Sequence, residues 1–343
     1  MVKRIFFLVA LLTLTSLVGV FYVASTLDKP LQHDRVWDVP HGTSLNVVMQ
    51  RLQPHASKAM LRAQRILLGW RGVDLEIRAG EYRLKPSMTL RDTLALLVSG
   101  DVVLHSVTLI EGWTVQDAQR HINTLNILQQ DIQANLDTTA LGIKDHFANV
   151  EGWLAPDTYL VRRGSKASEL YQAAYQRMVS WLEDAWQQRD ESLPLASPYE
   201  LLILASIVEK ETALVSERGG IASVFINRLR QGMRLQTDPT VIYGLGDKFD
   251  GDLTRRDLAE KTPYNTYVIR GLPPTPISLP SRDALLAVAL APETPYLYFV
   301  AKGDGSSYFS TSLEEHQAAV RRYQLQRRED YRSRPQLGNG NGR

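Results

Sequence analysis

The chain has 343 residues, a formal net charge of +2 and no cysteine. Its length allows two or three compact units, and 44% hydrophobic with 22% charged residues is typical of globular proteins. The small net charge argues against a nucleic-acid-binding protein, and the lack of cysteine excludes disulfides, thiolate nucleophiles and thiolate metal ligands. The sequence contains no HExxH motif or cluster of metal ligands, so we expect no metal and no other cofactor.

The N-terminus carries a long uncharged apolar segment. Lys3 and Arg4 precede a run over residues 5–26 that is rich in Leu, Val and Phe. About 20 apolar residues, each rising ~1.5 Å, cross a hydrocarbon core of roughly 30 Å. Because the basic residues precede the run, we expect residues 1–27 to be a single-pass anchor in the inner membrane, with a cytoplasmic N-terminus and a periplasmic main chain. A cleaved signal peptide is the alternative, but its apolar region is usually shorter.

The next part of the chain predicts a short tether and a small α/β module. Residues 28–36 are polar and contain a proline, which is typical of a tether. The patterns over residues 37–110 then predict a strand, two helices and a second strand at 37–39, 45–52, 58–68 and 80–84. This order and the opening VPHGTSL resemble the LysM carbohydrate-binding module. A small packing domain without a ligand is the alternative.

Three further regions follow. Residues 111–148 begin with a helix that Thr114 can cap, and then continue as a polar, helical linker. Residues 149–330 form the principal domain, which ends in a predicted hairpin over 297–300 and 308–310. The last residues, 331–343, are rich in Gly, Asn and Arg, a composition typical of a disordered tail.

One predicted helix in the principal domain carries candidate acid/base chemistry. The sequence LLILASIVEKET, residues 201–212, is apolar around almost its whole circumference, so we expect a buried helix. Glu209 and Glu211 lie on nearly opposite faces of it. Burial disfavours the charged form of a carboxyl and raises its pKa, so such a group can donate a proton near neutral pH. Spacing alone does not choose between the two glutamates, and it leaves open a structural ion pair with Lys210, Arg218 or Arg228.

Long motifs surround this helix. They are EGWLAPDTY at 151–159, ASIVEKETALVSERGGIASVFINRLRQGMRLQTDPTVIYGLG at 205–246, YNTY at 264–267, GLPP at 271–274 and YLYFV at 296–300. In this order they resemble the MltG/YceG-like endolytic murein transglycosylases over nearly the whole chain. The resemblance implies an α+β fold whose catalytic domain, residues 149–330, is similar in part to the lysozyme-like fold. The chain departs from the family's pattern at Thr275, usually glycine, and at Ser307, often histidine.

The resemblance selects Glu209 as the catalytic residue rather than Glu211. It implies cleavage of the MurNAc–GlcNAc bond in nascent peptidoglycan strands, leaving 1,6-anhydroMurNAc ends and terminating strand elongation. Penicillin-binding synthases and the inner membrane are the other implied partners. Polar side chains expected to contact glycan are Glu151, Asn227, Gln236, Thr237, Asp238, Tyr243 and Asn265. Asn227 could instead hydrogen-bond polar groups inside the core, Asp238 could cap a helix, and Glu151 could stabilise the junction between domains.

Two other functions remain open from the sequence. A hydrolytic muramidase would combine Glu209 with a second carboxylate such as Asp238. A non-catalytic, membrane-tethered scaffold would bind glycan strands beside cell-wall synthases, and it would not need Glu209 for glycan processing.

Overall fold

The computed structural model describes residues 2–70, 76–132, 136 and 149–325. The chain forms two compact units with a mixed α/β architecture. Unit 1 comprises Met1–Ser106 and Leu160–Ser165, and unit 2 comprises Val107–Tyr159 and Lys166–Arg343. Much of the predicted linker (133–135 and 137–148) and the predicted tail (331–343) lie outside the described residues.

The helices of the described ranges are α1 (Val2–Leu27), α2 (Leu45–Leu52), α3 (Lys58–Trp70), α4 (Leu90–Ser99), α5 (Val115–Asn123), α6 (Ala167–Gln188), α7 (Pro198–Glu211), α8 (Val215–Arg230), α9 (Asp238–Leu245), α10 (Arg255–Ala259), α11 (Arg282–Ala289) and α12 (Leu313–Val320). The strands are β1 (Arg35–Val39), β2 (Gly80–Leu84), β3 (Leu104–Thr108), β4 (Thr158–Arg162), β5 (Tyr298–Ala301) and β6 (Ser307–Ser310).

Helix α1 is long and apolar enough to cross a membrane. Its 26 residues rise about 39 Å, more than a hydrocarbon core of roughly 30 Å requires. A signal sequence near the N-terminus has the same properties. The last residue of α1 belongs to the fold, since Leu27 is fully buried in the hydrophobic core of unit 1.

Unit 1 is built on a β–α–α–β arrangement of β1, α2, α3 and β2. The two strands are antiparallel, with Trp37 opposite Tyr82. Trp37 and Val39 are buried while Asp38 between them is exposed, because successive side chains of a strand point to opposite faces. The following helix, α4, begins with a capping box in which Thr89 and Asp92 satisfy each other's backbone N–H groups.

The predicted tether is bound to unit 1. Leu31 donates its N–H to the Met88 carbonyl at 2.8 Å. Asp28 forms an ion pair with Arg91 at 3.1 Å. Residues of the short predicted tether thus hydrogen-bond and pair with the module. The polar composition of the segment does not reveal these partners. Strand β1 also begins inside this segment.

Strands β3 and β4 form a second two-stranded sheet. Helix α5, which the sequence predicts after Thr114, follows β3 and belongs to unit 2. Thr114 and Asp117 form its capping box, and Val115, Ala118 and Ile122 bury one face. Three buried apolar residues at helical spacing explain why α5 packs into the unit.

Helix α7 is the central element of unit 2. It packs against α6, α8 and α11, and every residue from Leu201 to Val208 is buried. Strands β5 and β6 form the predicted hairpin, with Phe299 opposite Phe309. Helices α9 and α10, which lie between α8 and α11 in the chain, are too short to show a clear helical period in the sequence.

Candidate functional site

Glu209 lies in the last turn of α7, with its side chain only 5% exposed. Its Oε1 accepts a hydrogen bond from Arg218 Nη2 at 2.9 Å. Its Oε2 accepts from the Ser281 N–H at 2.9 Å and from the Ser281 hydroxyl at 2.5 Å. Burial raises the pKa of Glu209, and the Ser281 hydrogen bonds and Arg218 oppose that rise without cancelling it. The carboxyl therefore keeps its proton to a higher pH than an exposed glutamate does.

Arg218, on α8, is buried and organises this site. Besides Glu209, it donates through Nη1 to Ser281 Oγ at 2.7 Å. Its Nη2 also lies 3.5 Å from Oε2 of Glu111. The structural ion pair that the sequence left open is thus formed with Arg218. Such a pair is compatible with acid/base chemistry, because it stabilises the carboxylate that remains once the proton has been donated.

The N-terminus of α11 supplies the second support for Glu209. Ser281 is the residue that caps α11, and its Oγ accepts the Ala284 N–H at 3.2 Å. A carboxylate at a helix N-terminus is stabilised by the unpaired N–H groups and by the helix dipole. Ser281 therefore both caps α11 and donates hydrogen bonds to the carboxyl of Glu209.

A tight turn covers the carboxyl. Lys210 Nζ donates to the Gly112 carbonyl at 3.1 Å. Gly112 has a φ of +75, and a Cβ there would lie 4.0 Å from Glu209 Cγ. Glycine meets the left-handed backbone requirement of this turn, and its missing side chain leaves room beside the carboxyl.

A second buried carboxyl, Glu151, lies close to the same turn. Its Oε1 accepts the Val115 N–H at 3.0 Å and its Oε2 accepts the Tyr243 hydroxyl at 3.2 Å. Burial raises the pKa of Glu151 to about 7. The structure thus joins two predicted site residues, Glu151 and Tyr243. Residues 111–115 connect their cluster to that of Glu209.

Thr237 lies on the other side of α7. It is buried, and its hydroxyl donates to Glu211, whose pKa burial raises to about 7. Glu211 and Glu209 project from nearly opposite faces of the helix. Thr237 therefore belongs to the surroundings of Glu211, and the structure does not bring it to Glu209.

Gln236 and Asp238 flank Thr237 and are exposed. Gln236 has a φ of 51, a left-handed conformation that costs a non-glycine residue energy and is often found at functional sites. Asp238 accepts the Tyr267 hydroxyl at 2.6 Å. Both side chains are accessible to a ligand, on the Glu211 side of α7.

The two predicted asparagines hold loops in place. Asn227 donates to the carbonyls of Thr294 and Tyr296 at 2.7 and 3.0 Å. Asn265 is 1% exposed, and it accepts the Tyr267 N–H at 3.0 Å. Its amide nitrogen donates to backbone carbonyls of residues 257–260. Both amide groups hydrogen-bond the backbone, and the glycan contacts predicted for them stay predictions.

The sequence did not point to Ser281 or to Glu111. Ser281 precedes a short apolar helix and so carries a helix-cap signal, while Glu111 opens a Glu-Gly-Trp-Thr turn before the capped α5. Neither signal indicates a contact with a glutamate that lies far away along the chain. Only the packing of α11 and this turn against α7 reveals it.

Two adjoining cavities lie at the start of α7. One of about 470 Å³ is lined by Trp153 and Tyr175, and one of about 480 Å³ is lined by residues 271–274; Tyr199 lines both. Tyr199 precedes Glu209 by ten residues, which is about 15 Å along a helix. Two of the family-like motifs therefore meet at the end of α7 opposite to Glu209.

The family model described as the YceG-like family matches residues 37–322. The chain belongs to the YceG-like family. A relative named endolytic murein transglycosylase, from Bacillus subtilis, is 28% identical over 328 residues, which are 89% of this chain and 90% of the relative. A relative of the same name from Streptococcus pneumoniae is 30% identical over 283 residues, 71% of this chain and 50% of the relative. The crystal structure of a YceG-like protein from Listeria monocytogenes matches with a TM-score of 0.52 and 27% identity, covering 84% of this chain and 99% of that one.

Proposed function

We propose that this chain is an endolytic murein transglycosylase that cuts peptidoglycan glycan strands with Glu209 as its acid/base. The observation that carries the proposal is the buried Glu209 carboxyl, which Arg218 and the N-terminus of α11 hold in a chain of the YceG-like family. The name of the relatives from Bacillus subtilis and Streptococcus pneumoniae supports the same reaction.

In the proposed reaction, Glu209 protonates the glycosidic oxygen between MurNAc and GlcNAc as the bond from C1 to that oxygen breaks. The C6 hydroxyl of the same MurNAc attacks C1, and the Glu209 carboxylate accepts the hydroxyl proton. The product is a 1,6-anhydroMurNAc end, and no water is consumed. Because the nucleophile is already part of the substrate, its effective concentration is very large, and no second carboxylate has to position it.

The two oxygens of Glu209 are suited to different parts of this cycle. Oε2 accepts two hydrogen bonds from Ser281, which fill its lone pairs. Oε1 accepts from Arg218, and no other described residue donates to it. Its second lone pair is the natural position of the transferred proton, while Arg218 and Ser281 stabilise the carboxylate between the two transfers.

A hydrolytic muramidase is the second candidate, with a different partner from the one the sequence suggested. Glu209 and Glu111 lie 2.9 and 3.5 Å from Arg218 Nη2, so their nearest oxygens are at most about 6.4 Å apart. This limit includes the separation of about 5–5.5 Å in retaining glycosidases and falls short of the roughly 6.5–9.5 Å in inverting ones. Glu111 is half exposed and could act as the nucleophile of a retaining hydrolysis, whereas Asp238 lies on the Glu211 side of α7.

The test is digestion of isolated peptidoglycan by the full-length protein in detergent, with mass spectrometry of the released ends. The comparison is between wild type, Glu209→Gln and Glu111→Gln. We expect anhydro ends from wild type and a loss of at least about 100-fold for Glu209→Gln, the scale of a general acid/base contribution. The matched control is Glu169→Gln, an exposed glutamate at the start of α6 that lines neither cavity, which should retain activity.

The outcomes separate the candidates. Products one water heavier, with activity lost in Glu111→Gln as well, would establish hydrolysis by two carboxylates. Equal release of ends by Glu209→Gln and wild type would contradict both enzymatic mechanisms, and no release by either protein would favour the non-catalytic glycan-binding scaffold.

We propose three further features, a glycan-binding module, a similarity to the lysozyme-like fold and a second glycan surface, each from its own observation. The β1–α2–α3–β2 arrangement supports a LysM-like glycan-binding module in unit 1. The placement of Glu209 near the end of a buried helix supports a partial similarity of unit 2 to the lysozyme-like fold. The aromatic cavities at the start of α7 provide a surface for glycan away from the cleaved bond, which cutting inside a strand requires.

We also propose that α1 remains as an anchor in the inner membrane, with units 1 and 2 in the periplasm. Cleavage after Leu27 would remove a buried residue of the unit 1 core, and cleavage earlier would expose apolar side chains of α1. Anchoring would place the enzyme beside newly made strands and penicillin-binding synthases, where cutting would terminate elongation.

A further inference from the structure

The surface of unit 1 beside α1 carries an apolar groove that no part of the proposed catalysis uses. Its two walls are formed by α1 and α3, and its volume is about 380 Å³. The lining residues are Ser16, Gly19, Val20, Val23, Ala63, Ile66, Leu67 and Trp70. A groove with this lining has almost no polar group that could hold a soluble ligand by hydrogen bonds.

The α3 wall of the groove exposes large apolar side chains. Ile66 is 57% and Trp70 is 83% exposed, although Leu68 of the same helix is buried in the core and Leu61 and Leu67 pack partly against it. The two side chains are four residues apart and lie on one face of α3. Arg62 is also exposed and lies one turn, about 6 Å, before Ile66 on this face, at the end of α3 that packs beside Thr26. A helix whose exposed face changes from a basic residue to Ile and Trp along its length is suited to entering a membrane interface at its apolar end.

The position of the groove along α1 indicates what covers it. If residue 5 begins the hydrocarbon core, about 20 residues bring the helix to its outer boundary near Ala24. The α1 wall, residues 16–23, then lies in the outer half of the core. The apolar side chains of α1 are exposed over the same residues. Because α1 forms one wall of the groove, the surroundings that cover these side chains also fill the groove.

The end of α1 is joined to α3 by specific contacts. Gln64 of α3 is buried, and its amide donates to Thr26 Oγ1 at 3.0 Å. Leu27 lies in the same core as Leu68. These contacts hold the second half of α3 beside α1, so α3 cannot leave the bilayer surface while α1 spans the bilayer.

We infer that the groove and the exposed face of α3 are covered by acyl chains of the outer leaflet, so that unit 1 sits in the membrane surface rather than above it. This inference rests on the proposed anchoring of α1. The guanidinium group of Arg62 can extend to the headgroup phosphates on its flexible stem. The arrangement fixes the height of unit 1 relative to the membrane.

The natural lack of cysteine allows a direct test by spin labelling. Three single-cysteine variants of the full chain, Ile66→Cys, Arg62→Cys and Leu8→Cys, carry nitroxides and are reconstituted in phosphatidylethanolamine–phosphatidylglycerol vesicles. Collisions with oxygen, which concentrates in lipid, are compared with collisions with a water-soluble nickel chelate. All three positions are exposed, so the labels should not disturb the fold.

We expect the labels at positions 8 and 66 to be several-fold richer in oxygen collisions, relative to nickel, than the label at 62. A lipid-like signal at 8 with a water-like signal at 66 would overturn this inference and leave the anchor intact. A water-like signal at 8 would overturn both. A label at 66 shielded from both reagents would mean that a second protein copy, not lipid, covers the groove.

Discussion

At the scale of single residues, the two clearest anomalies of unit 2 are carboxyls that the fold keeps out of water. Burial raises the pKa of Glu151 and of Glu211 to about 7, from an ordinary value of 4.5. Each binds a proton in the folded protein over a pH range where it is ionised in the unfolded chain. Two donors, the Val115 N–H and the Tyr243 hydroxyl, hydrogen-bond to Glu151 and lower its pKa. Burial raises the pKa by more than these bonds lower it.

This difference predicts that stability falls as pH rises. The folded pKa lies above the unfolded one, so the contribution is fully present below pH 4.5 and is lost as pH rises to about 7. The shift corresponds to roughly 3 kcal/mol at 1.36 kcal/mol per pKa unit. Urea unfolding at pH 5 and at pH 8 should show that Glu151→Gln has a smaller pH-dependent loss of unfolding free energy than wild type. An unchanged difference would mean that Glu151 titrates normally in the folded protein.

At the scale of elements, the short helix α11 is as important to the site as the long helix α7. Its capping residue, Ser281, gives two hydrogen bonds to Glu209, both of which lower the pKa of that carboxyl. Ser281→Ala removes the hydroxyl and keeps the backbone N–H. The pKa of Glu209 should therefore rise further.

Because the first proton transfer requires protonated Glu209, activity declines as pH rises through its pKa. In Ser281→Ala this decline should move to higher pH, while loss of the helix cap lowers the free energy of unfolding by about 1 kcal/mol. The measurement is the pH profile of kcat/KM for release of anhydro ends. Ser312→Ala, which removes the cap of α12, is the matched control and should lose stability without moving the profile. A profile that stays in place in Ser281→Ala would show that its hydroxyl does not set the proton affinity of Glu209.

Local elements were largely predictable, whereas the contacts between them were not. Strand β2 has the predicted bounds, Gly80–Leu84, because alternating side chains between turn residues are a local signal. The burial of α7 followed from its apolar circumference. The approach of Ser281 and Glu111 to Glu209 depends on how α11 and a turn pack on α7, and periodicity carries no information on such packing. The burial of Asn265 was not predictable for the same reason, since a polar residue in a loop pattern does not reveal that it is buried.

At the scale of the whole molecule, the apolar helix α1 and the folded part of unit 1 are continuous. Leu27 ends the apolar helix and at the same time fills the core of unit 1. The bonded segment 28–36 follows directly, with Leu31 and Asp28 attached to the module. If α1 is the proposed anchor, these contacts join it rigidly to unit 1, which the polar composition of the predicted short tether does not reveal.

This continuity predicts that a substitution in the apolar segment destabilises unit 1. Leu27→Ala should lower its free energy of unfolding by about 2–5 kcal/mol, the usual cost of emptying a leucine site in a core. The measurement is hydrogen exchange of β1 and β2 in the detergent-solubilised full chain. Leu14→Ala, at an exposed position of α1, is the matched control and should leave exchange unchanged. Equal protection in the two variants would mean that Leu27 does not stabilise the core of unit 1 and that α1 is joined to unit 1 only by a tether.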